Sequence, residues 1–369
     1  MKATKRYLAL DVLRGITIAA MITVNNPGSW SNIYAPLRHA QWHGCTPTDL
    51  VFPFFLFVVG VSMFFSFSKY GNELNRDSFI RLTKRTFLIF AIGLFLNSFP
   101  QWKTDFSNLR IMGVLQRIAV VYGISSVIVL AVRKKWLPHI SAVILLMYWV
   151  ILYSFGGTDP FSLSNNVAVG FDTMILGENH LYSGFGIPFD PEGLLSTFPA
   201  IVTALIGYMV GALIKETEKE KIVVKLMLGG VAGIVAGFIW GQFFPINKAL
   251  WTSSYVLYSA GWASVILSIL IWVIDVKFYK KWTSFFVVFG MNPLFIFALS
   301  GLWTKTCIRL IRFDDGTREI TNGYSWLYNY IFEPLAGPLN GSLLFALAHL
   351  CLFWFIALIL YRKKIFIKV

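Results

Sequence analysis

The sequence has few charged residues and very few cysteines. Asp, Glu, Lys and Arg make up 14% of the 369 residues, against about 25% in a soluble globular domain. Cys45, Cys307 and Cys351 are too few and too scattered for a zinc site or a disulfide framework. Because 56% of the residues are hydrophobic, this composition argues against an ordinary soluble fold.

Apolar runs recur along the whole chain and predict an all-α polytopic membrane protein. The first run lacks the small-residue cleavage site of a signal peptide, so we expect it to be retained as a helix. The whole chain, 1–369, then forms a single transmembrane domain with no separate soluble domain. We predict about ten transmembrane helices, roughly at 7–25, 48–68, 83–98, 111–132, 139–155, 195–214, 222–243, 252–274, 284–303 and 342–361.

The net charge of +14 lies in short clusters between the apolar runs. Nucleic acid is therefore excluded as a partner, and the lipid bilayer is expected instead. If the N-terminus is cytoplasmic, 22 of the 32 Lys and Arg residues lie on the inside. This asymmetry predicts that both termini are cytoplasmic. The loops 26–47, 156–194 and 304–341 then lie outside, where we expect them to form a mouth that faces an acceptor.

The outer loop 156–194 is long and has no Lys or Arg. Long loops in compact proteins are usually functional. His180, Asp190 and Glu192 in this loop would suit a cationic ligand, although an acidic loop shaped by proline turns is an equal alternative. The stretch 324–335 is expected to form an interfacial helix on the outer surface.

Asp11, Arg14 and Arg117 fall within predicted spans, where charges are costly and normally face a bundle interior. Asp11 and Arg14 share one face of the first helix at i and i+3. Arg117 lies in the fourth helix, after Gln116. A structural ion pair of Asp11 with Arg14 or Arg117 is one interpretation. The other is that the two arginines line a passage for an anionic cofactor.

The stretch LRHAQWHGCTPTDLVFPFF opens the second span with two histidines ahead of it. Thr46 followed by proline is typical of a helix start, and Asp49 in the first turn suits the helix dipole. Asp49 is close enough to His39 along the chain to orient its imidazole. His39 and His43 are spaced i, i+4, but no H-E-x-x-H pattern accompanies them. Spacing alone favours solvated loop histidines.

Longer motifs show a family resemblance. The chain contains, in order, LALDVLRGITIAAMITVNNPG, RHAQWHGCTPTDLVFPFFLFVVG, LRIMGVLQRIAVVYG, ILGENHLY, FDPEGLLST, PINKALWTSSYV and FGMNPLFIF. Over about residues 7–300 it resembles the heparan-α-glucosaminide N-acetyltransferase family, which belongs to a wider group of transmembrane acyltransferases. The resemblance is weaker at 304–341.

The resemblance implies that acetyl-CoA on the cytosolic side donates an acetyl group to the amino group of a glucosamine on the far side. It also implies catalytic residues: His39 from the family's K-H-A-S-W-N-G-like motif, Asn26 from N-N-P-G, and Asp49 from D-L-V-F-P. The sequence departs from the motif with Gln41 in place of Ser and His43 in place of Asn. These changes leave open which imidazole reacts, and we favour His39.

In the expected mechanism His39 is the general base that takes a proton from the attacking amine or the tetrahedral intermediate. Asp49 holds the imidazole tautomer, and Asn26 donates to the developing oxyanion. A ping-pong route with the acetyl group held on His39 stays open.

Further residues are assigned to ligands, and no metal is expected. The basic residues Arg81, Lys84 and Arg85 offer additional phosphate contacts. The acetyl-CoA residues are expected to be Arg14, Gln116, Arg117 and Asn292. The acceptor residues are expected to be Trp42, His43, His180, Asp190 and Glu192.

The sequence also allows other functions. They are an O-acetyltransferase of an envelope polysaccharide, an amino-sugar transporter, and a structural membrane subunit. A transporter is weakened by the lack of an evident internal repeat, and a homodimer is an open alternative. We expect a bacterial-type homologue without the family's N-terminal luminal domain, in the inner membrane with its active site open to the periplasm.

Overall fold

A computed structural model of the chain describes residues 7–68, 73–100, 106–314 and 320–367. Two short strands, β1 (Arg312–Asp314) and β2 (Ile320–Asn322), pair antiparallel. The remaining structure is mainly helical. The helices are α1 (Leu8–Asn25), α2 (Val51–Phe67), α3 (Arg76–Ser98), α4 (Val114–Ala131), α5 (Leu137–Phe155), α6 (Val167–Leu176), α7 (Leu194–Glu216), α8 (Lys219–Trp240), α9 (Ser253–Leu270), α10 (Thr283–Met291), α11 (Pro293–Arg309), α12 (Gly323–Leu327) and α13 (Glu333–Arg362).

Each predicted span coincides with helical structure. In the described part of the chain, eight helical segments are long and apolar enough to cross a membrane, and the bent pair α10–α11 makes a ninth if it is one span. The all-α polytopic membrane class is thereby confirmed. The orientation stays a prediction, and several basic residues counted for it lie outside the described residues: Lys2, Lys5, Arg6, Lys69, Lys103, Arg318 and Lys368.

The predicted span 83–98 covers the C-terminal two-thirds of a longer helix, α3. Asn75 caps this helix by accepting a hydrogen bond of 2.8 Å from the Ser78 backbone N–H. The 23 residues of α3 give a length of about 34 Å. Its first half carries a cluster of charged residues, so only the second half reads as apolar: Arg76, Asp77, Arg81, Lys84 and Arg85.

The predicted span 284–303 is present as two helices with a bend between them. The chain bends by 82° between α10 and α11, and Asn292 at the bend has φ −130° and ψ 52°. The following residue is Pro293, whose ring disfavours the helical conformation of the residue before it. The proline then begins α11, where its missing N–H costs no helical hydrogen bond.

The last span is preceded by a separate helical stretch. α12 continues through a π-helical turn at Tyr328–Phe332 into the first residues of α13. Gly337 then adopts φ 78°, a left-handed conformation that favours glycine, and breaks α13 before the predicted span 342–361. The helix expected at 324–335 is therefore present, and its position on the membrane surface stays a prediction.

α2 lies at the centre of the bundle and packs closely against α7. A Cβ at Gly60 would lie 1.9 Å from the Ala204 carbonyl oxygen, and one at Gly207 would lie 2.0 Å from the Phe57 carbonyl oxygen. Small residues let membrane helices approach in this way. α2 is therefore in close contact with α7, and the candidate site lies at the turn that begins α2.

Candidate active site

The turn that begins α2 is held by a capping box between Thr46 and Asp49. The Asp49 carboxylate oxygen Oδ2 accepts hydrogen bonds of 3.0 Å from the backbone N–H groups of Thr46 and Ala40. The Tyr255 hydroxyl in α9 donates to the Asp49 carbonyl at 2.5 Å. These contacts fix the carboxylate in one orientation. They also favour its ionised form, because it serves as an acceptor throughout.

His39 lies against this carboxylate. Its Nδ1 is 2.7 Å from Asp49 Oδ1, with the His39 side chain 40% exposed and the Asp49 side chain 2% exposed. An ionised carboxylate at this distance requires a hydrogen on Nδ1, so the lone pair of the neutral ring is on Nε2. An imidazole held in that tautomer can accept a proton from a substrate. The structure therefore brings together two of the three residues assigned to catalysis.

Lys248, in the loop between α8 and α9, is a third member of this cluster that the sequence analysis did not identify. Its Nζ lies 3.1 Å from His39 Nδ1 and 3.6 Å from Asp49 Oδ1. Desolvation lowers the pKa of the Lys248 ammonium, and the charge of Asp49 opposes that shift. The available signal was a lysine within the motif PINKALW in a predicted outer loop with no other basic residue.

The Lys248 loop is joined to the first outer loop by main-chain and side-chain contacts. The Gly44 N–H donates to the Ile246 carbonyl at 2.7 Å, and Gly44 has φ 106°, which favours glycine. Asn247 Nδ2 lies 3.4 Å from His43 Nδ1. Desolvation lowers the pKa of His43, with the Asp159 charge opposing, which fits a neutral ring that accepts from the amide. His43 is thus turned toward Asn247.

Trp42 joins the first outer loop to the second. Its indole N–H donates to the Phe161 carbonyl at 2.8 Å. Its ring meets Phe185 and Phe189 edge-on, with centroids 5.9 and 5.4 Å apart. The indole is therefore used largely in packing within the protein, and its stacking on a sugar stays a prediction.

Asn26 is buried at the end of α1, with 3% of the residue exposed. Its Nδ2 donates to the Ile22 carbonyl at 2.7 Å, and its Oδ1 accepts from the Thr304 hydroxyl at 2.5 Å. Within the described ranges no hydrogen bond joins Asn26 to His39 or Asp49. The oxyanion role of Asn26 stays a prediction, because its side chain is here engaged with α1 and α11.

The acidic residues of the second outer loop have a cationic partner within the protein. Arg110 donates to both carboxylate oxygens of Asp190, at 2.8 and 2.7 Å, and to Glu192 at 2.7 Å. Arg110 reaches this loop from the α3–α4 connection, so the cation expected on the substrate is matched by one within the protein. His180 is also engaged in that direction, with Nδ1 2.7 Å from the Leu109 carbonyl.

Arg117 is completely buried near the start of α4. Its Nη2 donates to the Gly193 carbonyl at 3.3 Å and to the Ser196 hydroxyl, and its guanidinium carbon lies 5.0 Å from the centre of the Trp251 ring. Nε and Nη1 find no hydrogen-bond partner among the described residues. Arg117 therefore makes no ion pair with Asp11, and it lies by the N-terminus of α7.

A basic cavity of about 510 Å³ lies between α1, α2, α3 and α4. Arg14 enters it from α1, donates to the Ser62 hydroxyl at 2.6 Å and lies 3.5 Å from the Asp11 carboxylate. No acidic residue in the described part of the chain lines the cavity. Its polar lining residues are Arg14, Ser62, Ser66, Arg81, Lys84, Arg85 and Tyr122.

Three residues assigned to the cofactor do not line this cavity. Arg117 and Gln116 lie elsewhere on α4, and Gln116 packs so closely on α3 that a Cβ at Gly93 would lie 2.5 Å from its Oε1. Asn292 binds the C-terminal segment instead: Nδ2 donates to the Ile365 carbonyl at 3.0 Å, and Oδ1 accepts from the Ile367 N–H at 2.8 Å. Asn292 thus holds Ile367, which is itself part of the cavity wall.

The cavity and the histidine are arranged along one helix. The lining residues of α2 run from Ser66 to Phe55, a rise of about 17 Å. From Phe55 the helix rises about 9 Å more to Asp49. A ligand in the cavity that extends along α2 would therefore point toward His39.

The family model described as the catalytic region of heparan-alpha-glucosaminide N-acetyltransferase matches residues 6–239. This chain belongs to that family. The alignment with the human heparan-alpha-glucosaminide N-acetyltransferase is 354 positions long, with 28% identity. It covers 79% of this chain and 52% of the human protein. The mouse protein of the same name is 26% identical, with 80% and 53% covered. The chain spans about half the length of these two relatives.

The match to the family covers part of the site. His39, Asp49 and the basic cavity residues of α1–α3 fall within residues 6–239, whereas Lys248 and Asn292 lie beyond them. The described residues include no group of three or more His, Cys, Asp or Glu side chains placed to hold a metal ion.

Proposed function

We propose that this protein transfers the acetyl group of acetyl-CoA across a membrane to the amino group of a glucosamine or a terminal α-glucosaminide. His39 is the general base. The observation that carries the proposal is the His39–Asp49 pair, with Nδ1 2.7 Å from Oδ1, at one end of α2 and the basic cavity along the same helix. Membership in an N-acetyltransferase family supports this reaction class.

The donor is assigned to the basic cavity. Guanidinium and ammonium groups bind phosphate oxygens through charge-assisted hydrogen bonds. Three such groups lie at one end of the cavity, on Arg81, Lys84 and Arg85. In the proposed orientation this end is cytoplasmic. The CoA phosphates bind there, and the acyl end extends along α2 toward Asp49.

The acceptor amine attacks the thioester carbonyl near His39. The new C–N bond forms, and His39 Nε2 takes the proton that the nitrogen loses. The C–S bond then breaks, and the imidazolium returns this proton to the CoA thiolate. General-base assistance of this kind is typically worth about 10²–10⁴-fold in rate. We place the reaction on the periplasmic side of a bacterial inner membrane.

The experiment uses the purified protein in detergent with radiolabelled acetyl-CoA. The acceptors are glucosamine, a terminal α-glucosaminide and N-acetylglucosamine. We expect labelled product with the two free amines, and a fall of at least about 100-fold for His39→Ala. His139→Ala is the matched control, because His139 is an exposed histidine at the start of α5, and it should retain wild-type transfer.

Three results would contradict the proposal. Transfer only to hydroxyl groups would favour an O-acetyltransferase. Uptake of the amino sugar by proteoliposomes without acetyl-CoA, and without transfer, would favour a transporter. Full activity of a folded His39→Ala variant would exclude His39 as the base.

A further inference from the structure

The arrangement of Lys248 around the His39–Asp49 pair suggests a role that the proposed reaction does not yet include. Lys248 Nζ is 3.1 Å from His39 Nδ1 and 3.6 Å from Asp49 Oδ1, with its side chain 23% exposed. We infer that Lys248 is a positioning residue that keeps His39 in its neutral, proton-accepting form. This inference rests on the proposed function, in which His39 is the base.

The hydrogen bonds constrain which group Lys248 can serve. His39 Nδ1 cannot donate to Asp49 and accept from Lys248 at once. Asp49 already accepts two backbone hydrogen bonds at Oδ2, so it is the acceptor and the ring N–H points to Oδ1 at 2.7 Å. The ammonium of Lys248 therefore acts on the pair mainly through its charge.

The sign of that charge effect follows from the geometry. A buried carboxylate alone beside an imidazole favours the imidazolium. A cation beside both groups offsets the carboxylate and disfavours a second positive charge on the ring. An imidazolium cannot accept a proton, so the ammonium of Lys248 favours the form of the ring that can act as a base. Asp49 thus orients the ring while Lys248 balances its charge.

The other charged or titratable groups that act on Lys248 lie on the two outer loops. Its electrostatic partners besides Asp49 are Glu192, from the second outer loop, and the Cys45 thiol. Glu192 is engaged with Arg110 at 2.7 Å. On the first outer loop, His43 is turned to Asn247 at 3.4 Å, whereas His39 Nδ1 lies 3.1 Å from Lys248 Nζ.

The position of Lys248 is built into the fold. The preceding residues are bonded to the first outer loop by Gly44 N–H to Ile246 O at 2.7 Å. Asn247 Oδ1 accepts from the Leu250 N–H at 2.9 Å, which closes the turn around Lys248. These two contacts hold the backbone around Lys248 in place.

The test is the pH dependence of kcat/KM for acetyl transfer to glucosamine, which reports the essential base of the free enzyme. In Lys248→Gln we expect the acidic limb to move up by about one pH unit or more. In Lys248→Arg, which retains the charge, we expect the limb to stay within a few tenths of a unit of the wild type. Lys135→Gln removes a distant exposed lysine and is the control for net charge.

The outcomes separate this inference from the proposed function. If the wild type transfers no acetyl group, the proposed function fails. If the wild type transfers and Lys248→Gln loses rate equally at every pH, Lys248 is merely structural and the inference fails. A shifted limb in Lys248→Arg would also overturn it, and that variant keeps the test decisive should Lys248→Gln not fold.

Discussion

Replacing Asp49 by asparagine removes one charge while keeping the size of the side chain. The two backbone N–H groups that donate to Oδ2 at 3.0 Å need an acceptor, so the amide oxygen should take that place. The amide NH₂ then occupies the position of Oδ1, 2.7 Å from His39 Nδ1. There it can only donate, which makes Nδ1 an acceptor and moves the ring hydrogen to Nε2.

This tautomer change disables the proposed base. With a hydrogen on Nε2, the ring has no lone pair to offer the substrate, and the assistance worth about 10²–10⁴-fold is lost. Lys248 also loses a counterion at 3.6 Å and faces a donor. An unsatisfied buried group costs about 1–3 kcal/mol, so we expect kcat to collapse and the protein to remain folded with a lower melting temperature.

The assay measures kcat and the affinity for acetyl-CoA separately. Because the cavity begins about 9 Å along α2 from Asp49, acetyl-CoA should bind Asp49→Asn as it binds the wild type. Glu218→Gln removes an exposed acid that pairs only with Lys221 at 2.8 Å among the described residues, and it should leave kcat within about two-fold. A folded Asp49→Asn variant with kcat within ten-fold of the wild type would refute the tautomer argument.

Two further predictions concern the cavity and the second outer loop. The double variant Lys84→Gln/Arg85→Gln should raise KM for acetyl-CoA about ten-fold or more with little change in kcat. The reason is that it removes phosphate contacts without touching His39. An unchanged KM would place the acetyl-CoA site elsewhere. Arg110→Met should destabilise the protein by about 3–5 kcal/mol, because it leaves the Asp190 carboxylate buried without its cation. Thermal unfolding in detergent would measure this loss of stability. The control is Lys134→Met, which breaks the exposed pair with Glu216 and should lower the free energy of unfolding by at most about 1 kcal/mol.

The membrane class and most of the helices could be predicted from the amino-acid sequence alone. An apolar run of about 20 residues is long enough to span a bilayer and can be recognised without knowledge of the fold. The ends of α1, α2 and α7 were therefore predicted to within a few residues. The break at Asn292 was missed because a span is judged by its total hydropathy. A single residue before Pro293 changes that total little, although it turns the chain by 82°.

Local sequence also determined the His39–Asp49 pair. The two residues are ten positions apart, and a helix start between them brings their side chains together through local turns. The family motifs add the same two residues, which is why this part of the site could be predicted before the fold.

The groups that surround the pair could not be predicted from local sequence. Lys248 is 209 residues from His39, and Arg110 is 80 residues from Asp190; no local pattern links partners that distant. The same limit applies to Arg117, whose charge lies within an apolar run, and to Asn292, which was assigned to acetyl-CoA. Neither prediction named the partners that these residues have in the fold. A buried charge must find a partner, but which one it meets depends on how the helices pack, and that packing is a property of the whole chain.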